Sequence, residues 1–333
     1  MSNKCLRFGI LGCGMIAHFH ADAILHTENA CLCGVADANT VSAAVFAETY
    51  GVKPYDTFDD MLASDIDVVC ICTPSGLHAE NAITALQAGK HVVLEKPMAL
   101  CVSDAERIKK TADTSGRLVT VISQLRFSQD IQHVKKLVEE NAFGKLVLCD
   151  LYMKYWRDPA YYANGGWKGT KKMDGGGALM NQGIHGVDLL LYLVGDAAVR
   201  AATTKTAFHD IEVEDVALAM LAFDNGADGV IEASTCTYNG FERKIEILGT
   251  DGCAVFRENT LEKLIVQGKT LVDNARENVA GTASDPAAMD SLGHTLQIRN
   301  LVNAVLTGEE LLIDAKEGCR AVALIESIYK QNG

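Results

Sequence analysis

The sequence predicts an α/β protein in two parts. A doubly wound parallel sheet comes first, and an α+β domain with a large, mostly antiparallel sheet follows. Three observations carry this. An apolar strand pattern opens the chain and runs into Gly12-Cys13-Gly14-Met15-Ile16-Ala17, the spacing of a tight turn leading into a helix. Apolar runs and helical runs then alternate as far as Ser123. Beyond that point strand follows strand, with turn pairs at Asn225-Gly226, Asn239-Gly240 and Asp251-Gly252 that mark hairpins or meanders.

The opening turn sets the first domain. Gly12 lets the strand turn sharply, Gly14 lets a pyrophosphate approach the backbone, and Ala17 permits close helix–strand packing. The helix start at Met15 and Ile16 offers free N–H groups and the positive dipole end to phosphates. The strand Cys31 to Ala36 ends in Asp37, about 20 residues past the glycines, where an acid grips a ribose diol. This is a Rossmann arrangement. An ordinary glycine turn with a surface Asp is the bland alternative, and the strand–turn–helix–strand context weighs against it.

The remaining elements follow in order. Val41 to Tyr50 is helical and ends at Gly51, and Asp59 to Ala63 is a short helix. Asp67 to Thr73 is continuously apolar, as a strand covered on both faces requires, and Pro74 stops it. Ser75 is placed to cap a helix from His78 to Ala88, which Gly89 ends. His91 to Leu94 is the fourth strand, Ser103 caps a helix from Asp104 to Ser115, and Leu118 to Ser123 is the fifth strand. The first domain is thus expected at residues 1–123 and the second at 124–333. In the second, Ile131 to Glu140 is a helix, Gly144 a turn, Lys145 to Trp156 a strand and Ala178 to Leu193 a helix. Strands then run from Val199 to about Val266, and two helices near Met289 to Leu306 and Asp314 to Tyr329 close the chain. Apolar residues alternating along these strands (Val216, Leu218, Met220, Ile231, Ile245, Ile247) predict a sheet face that joins subunits in a homodimer or homotetramer.

Composition narrows the function. A net charge of −13 argues against a general binder of nucleic acid or of anionic membranes. No stretch approaches the roughly 20 apolar residues of a membrane span. The N-terminus lacks a basic region followed by a long apolar run, so no secretory leader is expected. Of the eleven cysteines, Cys31, Cys33, Cys70, Cys72 and Cys149 sit in apolar runs, where Cys packs as a small hydrophobe. Reduced thiols, a cytoplasmic location and no bound metal are the expectation.

Two clusters carry chemistry. The fourth strand ends in Glu95-Lys96-Pro97, and ligands of open α/β sheets bind at the carboxyl ends of strands. An ammonium there can stabilise the alkoxide that forms as hydride leaves an alcohol, and a cis Pro97 fixes the lysine's direction. By spacing alone, Lys96 reads equally well as an exposed surface lysine. The second cluster runs from Asp174-Gly175-Gly176-Gly177 to Asn181, His185 and Asp188. Asn181 and His185 are four apart, on one face of the expected helix, with Asp188 placed to orient the imidazole. A histidine titrating near neutrality is a natural base for an alcohol proton. A lone helical histidine is more often a core residue satisfied by its neighbour, but the glycine triplet and the cofactor domain favour the catalytic reading.

Gly12 to Ala17, Thr73-Pro74, Glu95-Lys96-Pro97, Gly144-Lys145, Glu317-Gly318 and the segment from Gly175 to Asp188 together resemble the Gfo/Idh/MocA oxidoreductases over nearly the whole chain. The resemblance implies oxidation or reduction of a secondary alcohol of a sugar, cyclitol or nucleotide sugar with NAD(P). It implies Lys96 as the catalytic lysine, His185 as the acid/base, and cofactor contacts from Glu95 and the Thr73-Pro74-Ser75 turn. Inositol-dehydrogenase-like members carry Asp four residues before the histidine, where this chain has Asn181. Asn cannot take a proton, which speaks against a carboxylate relay there and leaves Asn181 to hydrogen-bond a substrate hydroxyl. The wording around Asn181 is more similar to members that oxidise the 3-hydroxyl of free or nucleotide-linked sugars.

Between the clusters lies a basic, aromatic island that includes Tyr155, Arg157, Trp167, Lys168, Lys171 and Lys172. Aromatic faces suit sugar rings and cations suit phosphate or uronate, so Tyr155, Arg157, Trp167 and Lys168 are candidate substrate contacts. A solvated loop over core aromatics is the equal alternative. Asp37, with no arginine among Ala38-Asn39-Thr40, favours NAD over NADP. Two other functions remain open. One is a glycosidase that uses tightly held NAD for transient 3-oxidation. The other is a non-catalytic NAD- and sugar-sensing regulator, against which the presence of both Lys96 and His185 argues.

Overall fold

The computed structural model describes residues 5–163, 166–274 and 291–331. The chain begins with β1 (Leu6–Leu11), α1 (Met15–Leu25), β2 (Ala30–Ala36), α2 (Thr40–Tyr50), β3 (Lys53–Tyr55), α3 (Phe58–Leu62), β4 (Val68–Ile71), α4 (His78–Gln87), β5 (His91–Leu94), α5 (Val102–Ser115) and β6 (Val119–Val121). The strands form one six-stranded sheet in the order β3-β2-β1-β4-β5-β6, and every pairing within it is parallel. The order reverses between β1 and β4, which is where an open sheet leaves a crevice at its carboxyl edge. Val68, Val69, Cys70 and Ile71 of β4 are all fully buried, which explains that strand's unbroken apolar run.

The second part holds α6 (Gln129–Glu139), β7 (Leu146–Lys154), α7 (Pro159–Ala163), α8 (Ile184–Val194), β8 (Ala197–Lys205), β9 (Val216–Phe223), β10 (Asp228–Ser234), β11 (Lys244–Gly249), β12 (Gly252–Arg257), β13 (Thr260–Val266) and β14 (Lys269–Asp273). Its eight-stranded sheet runs β14-β13-β12-β11-β7-β10-β9-β8, antiparallel except for the β10–β7 pair. The chain closes with α9 (Leu292–Thr307) and α10 (Ala315–Lys330). No described helix is long and apolar enough to cross a membrane.

Several expectations need correction. The chain divides into one unit of Met1–Gln124 with Asp290–Cys319 and another of Leu125–Met289 with Arg320–Gly333, so the segment that carries α9 groups with the first unit and not with the second. Helix α9 leaves the second domain because Ile298, Leu301 and Val302 join the core formed by Ala17, Ala21 and Ile24 of α1. Gln297 also ties α9 to β6, through Thr120 Oγ1, Val121 O and Ser123 N. The expected start of α9 at Met289 lies outside the described residues. Strand β3 was not anticipated. Ser75 opens a single 3₁₀ turn instead of capping α4, and Ser103 lies inside α5, whose cap position is Cys101.

The helix expected from Ala178 begins only at Ile184, and residues 178–183 form turns. At the start of this stretch the Glu214 carboxylate accepts the N–H groups of Gly177 and Leu179, and its carbonyl accepts that of Ala178. Nor are the cysteines all free thiols, because Cys5 and Cys31 form a disulfide with a Cα–Cα distance of 6.3 Å. The parallel register that sets Leu6 against Ala30 and Arg7 against Cys31 brings the two together. Finally, the six alternating apolar residues do not share one face. Ile231 pairs with Ala219, and Ile245 and Ile231 both pair with Leu151, on a buried face. Leu218 and Met220 point the other way and are 44% and 59% exposed.

Candidate functional site

In the first unit the predicted cofactor residues converge on the carboxyl edge of the parallel sheet. Gly12 leaves β1 with φ +93°, a conformation that glycine alone adopts freely. A Cβ there would lie 2.7 Å from the Cys72 carbonyl oxygen, so the turn after β1 rests on the end of β4. A Cβ on Gly14 would meet nothing within 4 Å, which leaves open space before the first turn of α1. No side chain caps that helix, so the N–H groups at Met15 and Ile16 face this space without a side-chain acceptor. The Asp37 carboxylate accepts the N–H groups of Cys13 and Asn39, both at 2.7 Å, which fixes it beside the glycine turn. Each oxygen keeps a lone pair for a further donor. A dinucleotide fits these features. The pyrophosphate would sit on Gly14, Met15 and Ile16, and a ribose diol would meet Asp37.

Thr73 and Pro74 follow β4 and are anchored by the buried His78. Its Nε2 is 2.9 Å from the Thr73 carbonyl and its Nδ1 is 2.6 Å from the Pro97 carbonyl. One side chain thus ties the turn after β4 to the turn after β5. Burial lowers the His78 pKa, and the two carbonyls oppose that fall.

Lys96 stands at the carboxyl end of β5, and the Lys96-Pro97 bond is cis. Glu95, expected to touch the cofactor, is turned inward and is 5% exposed. Its Oε1 accepts His20 Nε2 at 2.8 Å and its Oε2 accepts the Lys96 backbone N–H at 3.1 Å. Burial pushes the Glu95 pKa up, but the His20 hydrogen bond and the positive potential of His20, His294 and Lys96 together bring it down to about 2. The sequence named no partner for His20. The structure supplies Glu95 and also His294 from α9, and one ligand-type atom from each of the three residues lies within 4.8 Å of the others.

In the second unit His185 is the second residue of α8 and Asn181 lies in the turn before it. Asp188, expected to orient His185, instead forms a two-pronged ion pair with Arg126, Nε to Oδ2 at 2.9 Å and Nη2 to Oδ1 at 2.6 Å. Both partners are almost fully buried, so Asp188 anchors α8 against the turn that carries Arg126. Arg126 lies 62 residues from Asp188, and no local pattern announced the pair. Asn181 Nδ2 donates to Asp174 Oδ1 at 2.6 Å, and Gln182 accepts Arg157 Nε and Nη2 at 3.1 and 2.8 Å.

The aromatic island is partly built in. Tyr155 is 7% exposed and burial pushes its hydroxyl up to about 12. Arg157 is 8% exposed, and its guanidinium lies 5.8 Å from the Tyr155 ring centre. Lys168 sits over the Tyr161 ring at 3.8 Å. Its pKa is lowered because burial outweighs the attraction of Asp174. Trp167 is half-buried, whereas Lys171 and Lys172 are exposed.

Comparison with known proteins agrees with this geometry. Residues 6–123 match an oxidoreductase family with an NAD-binding Rossmann fold, and residues 131–255 match the GFO/IDH/MocA C-terminal domain. The inositol 2-dehydrogenase of Rhizobium meliloti (strain 1021) is 31% identical over 338 residues, 98% of this chain and 96% of that protein. The myo-inositol 2-dehydrogenase of Thermotoga maritima is 27% identical over 276 residues, 78% of each chain. The structure of the WlbA dehydrogenase from Bordetella pertussis in complex with NADH and UDP-GlcNAcA matches with a TM-score of 0.87 at 33% identity, covering 98% of this chain and 96% of that one. With its glycine cradle, its Glu95-Lys96-Pro97 turn and its histidine-bearing helix α8, the chain belongs to the GFO/IDH/MocA family of oxidoreductases.

Proposed function

We propose that the protein transfers hydride between NAD and a secondary alcohol of a sugar, cyclitol or nucleotide sugar. The observation that carries this is a lysine fixed by its own neighbour's carboxylate at the carboxyl edge of a sheet with a dinucleotide cradle. Relatives named for inositol, and a relative bound to NADH and UDP-GlcNAcA, support the substrate class.

When bound, the nicotinamide accepts or returns the hydride. The chain's own residues do the rest. Lys96 donates to the alcohol oxygen and stabilises the negative charge that grows on it as hydride leaves. His185 takes the hydroxyl proton and returns it in the reverse direction. Asn181 hydrogen-bonds a substrate hydroxyl. Thr73 and Pro74 line the cofactor face, and Asp37 accepts from the ribose diol and disfavours a 2′-phosphate, which makes NAD the preferred partner. Arg157, Trp167 and Lys168, with Tyr155 packed beside Arg157, recognise an anionic sugar, and oxidation at its 3-hydroxyl is the fitting chemistry. The residues exposed on β9, Leu218 and Met220, support a homodimer or homotetramer formed through the second sheet in the cytoplasm.

The test is a panel of free sugars, uronates, inositols and UDP-linked sugars, each mixed with NAD and followed by NADH absorbance. Turnover is expected with at least one, and highest with an anionic or nucleotide-linked sugar. No NADH from any of them, at protein concentrations that bind NAD, contradicts the reading.

A further inference from the structure

We propose that Asp174 is a positioning residue that fixes which face of the Asn181 amide meets the substrate. The proposal rests on the reading of Asn181 as a substrate contact. Asp174 is fully buried. One carboxylate oxygen accepts the Gly169 N–H at 2.7 Å and the other accepts Asn181 Nδ2 at 2.6 Å. The Asp174 backbone N–H in turn bonds the Thr170 carbonyl at 3.0 Å, which closes the turn that follows Trp167 and Lys168.

The donor inventory makes this pairing directional. An ionised carboxylate only accepts, so the NH₂ side of Asn181 must face Asp174 and Oδ1 is held on the opposite side. Asn181 Oδ1 is therefore turned away from Asp174, and one of the two amide hydrogens is committed to that carboxylate. A substrate hydroxyl that meets Oδ1 is bound through its own hydrogen. The carboxylate absent at position 181 is thus present one hydrogen bond behind it, where it orients instead of taking a proton.

The arrangement can be reversed by exchanging the two side chains. In Asp174→Asn the new amide has a single acceptor oxygen, which cannot serve both the Gly169 N–H and Asn181 Nδ2. In Asn181→Asp two carboxylates meet at hydrogen-bond distance and cannot both stay ionised, so one must take up a proton and the amide's fixed orientation is lost. In the double variant the new amide at 174 accepts from Gly169 and donates to the new carboxylate at 181. The second oxygen of that carboxylate then stands where Asn181 Oδ1 stood.

The experiment measures kcat and KM for the sugar substrate and for NAD in the wild type, both single variants and the double. Myo-inositol and a UDP-linked uronic acid serve as probes. Each single variant should lose about 10²-fold in kcat, the scale of a misplaced contact near the reacting centre, with KM for NAD unchanged. The double should recover most of that loss. Asp174→Asn at wild-type turnover, or a double variant whose loss is the product of the two single losses, overturns the proposal. If Asp174→Asn does not fold, a folded and active double variant supports the pairing, and an unfolded double variant contradicts it. A wild type inert towards the whole panel contradicts the functional reading instead, so the two failures are distinguishable.

Discussion

His20 and Glu95 lie 75 residues apart in the chain and share a buried hydrogen bond of 2.8 Å. The other oxygen of Glu95 holds the Lys96 N–H at 3.1 Å. An imidazole on the first helix thus steadies the backbone of Lys96, the proposed catalytic lysine, through one carboxylate. Removing one partner of a buried pair leaves the other uncompensated, at a cost of about 3–5 kcal/mol. His20→Ala should lower the unfolding free energy by that order and reduce kcat more than it raises KM for NAD. Urea unfolding checks the first part and steady-state kinetics the second. Wild-type values in both would contradict this role.

His294 carries a pH prediction. It is fully buried, and among the described residues neither ring nitrogen has a hydrogen-bond partner. Burial, helped by nearby His20, lowers its pKa from 6.5 to about 4, with Glu95 opposing. The folded state therefore binds its proton less readily than the unfolded state. The stability this contributes is present above about pH 6.5 and is lost as pH falls towards 4. A shift of this size corresponds to a loss on the order of 3 kcal/mol. Melting temperature should fall across that window in the wild type and fall less in His294→Leu. Equal slopes would remove His294 as the cause.

Arg126 and Asp188 form another buried charge pair, with Arg126 also stacked 4.7 Å from the Tyr192 ring centre. Asp188→Asn leaves a buried guanidinium without its counter-charge. The variant should unfold with about 3–5 kcal/mol less free energy than the wild type in urea. A loss below about 1 kcal/mol, typical of an exposed pair, would show that the ion pair does not anchor α8.

Asp37 is held by the Cys13 and Asn39 N–H groups, so its charge is fixed beside the glycine turn. Asp37→Ser removes the repulsion towards a 2′-phosphate and one grip on the ribose diol. The ratio of kcat/KM for NAD over NADP should fall by roughly tenfold, equivalent to about 1.4 kcal/mol. An unchanged ratio would show that specificity lies elsewhere.

Legibility in the sequence followed the range of the interactions. The glycine turn and the hairpins at Asn225-Gly226 and Asp251-Gly252 depend on neighbours in the chain, and they were readable, whereas Asn239-Gly240 joins β10 to β11, which do not pair, and the short β3 was missed. The positions of Lys96 and Asp37 at the ends of β5 and β2 were readable, because strand ends and motif spacing set them. Pairings across distant segments were not. Glu214, in the segment before β9, accepts the N–H groups of Gly177 and Leu179 in the turns that precede α8. Asp188 looked like a partner for His185 because helical spacing allows it, but a buried arginine from another segment outcompetes the neighbour. Helix α9 carries an apolar face that either domain could have buried, and only packing assigns it to the first unit. The sheet-face error arose because period-two alternation fixes sides within a strand but not between strands, where register decides.

The most direct test of the account replaces its two proposed catalytic groups separately. With the best substrate of the panel, Lys96→Ala and His185→Ala should each lower kcat by roughly 10²–10⁴, the range for a positioned acid–base group, while calorimetry still records NAD binding. Wild-type turnover in either variant would contradict the central claim that this lysine and this histidine carry the proton and the charge of the reacting hydroxyl.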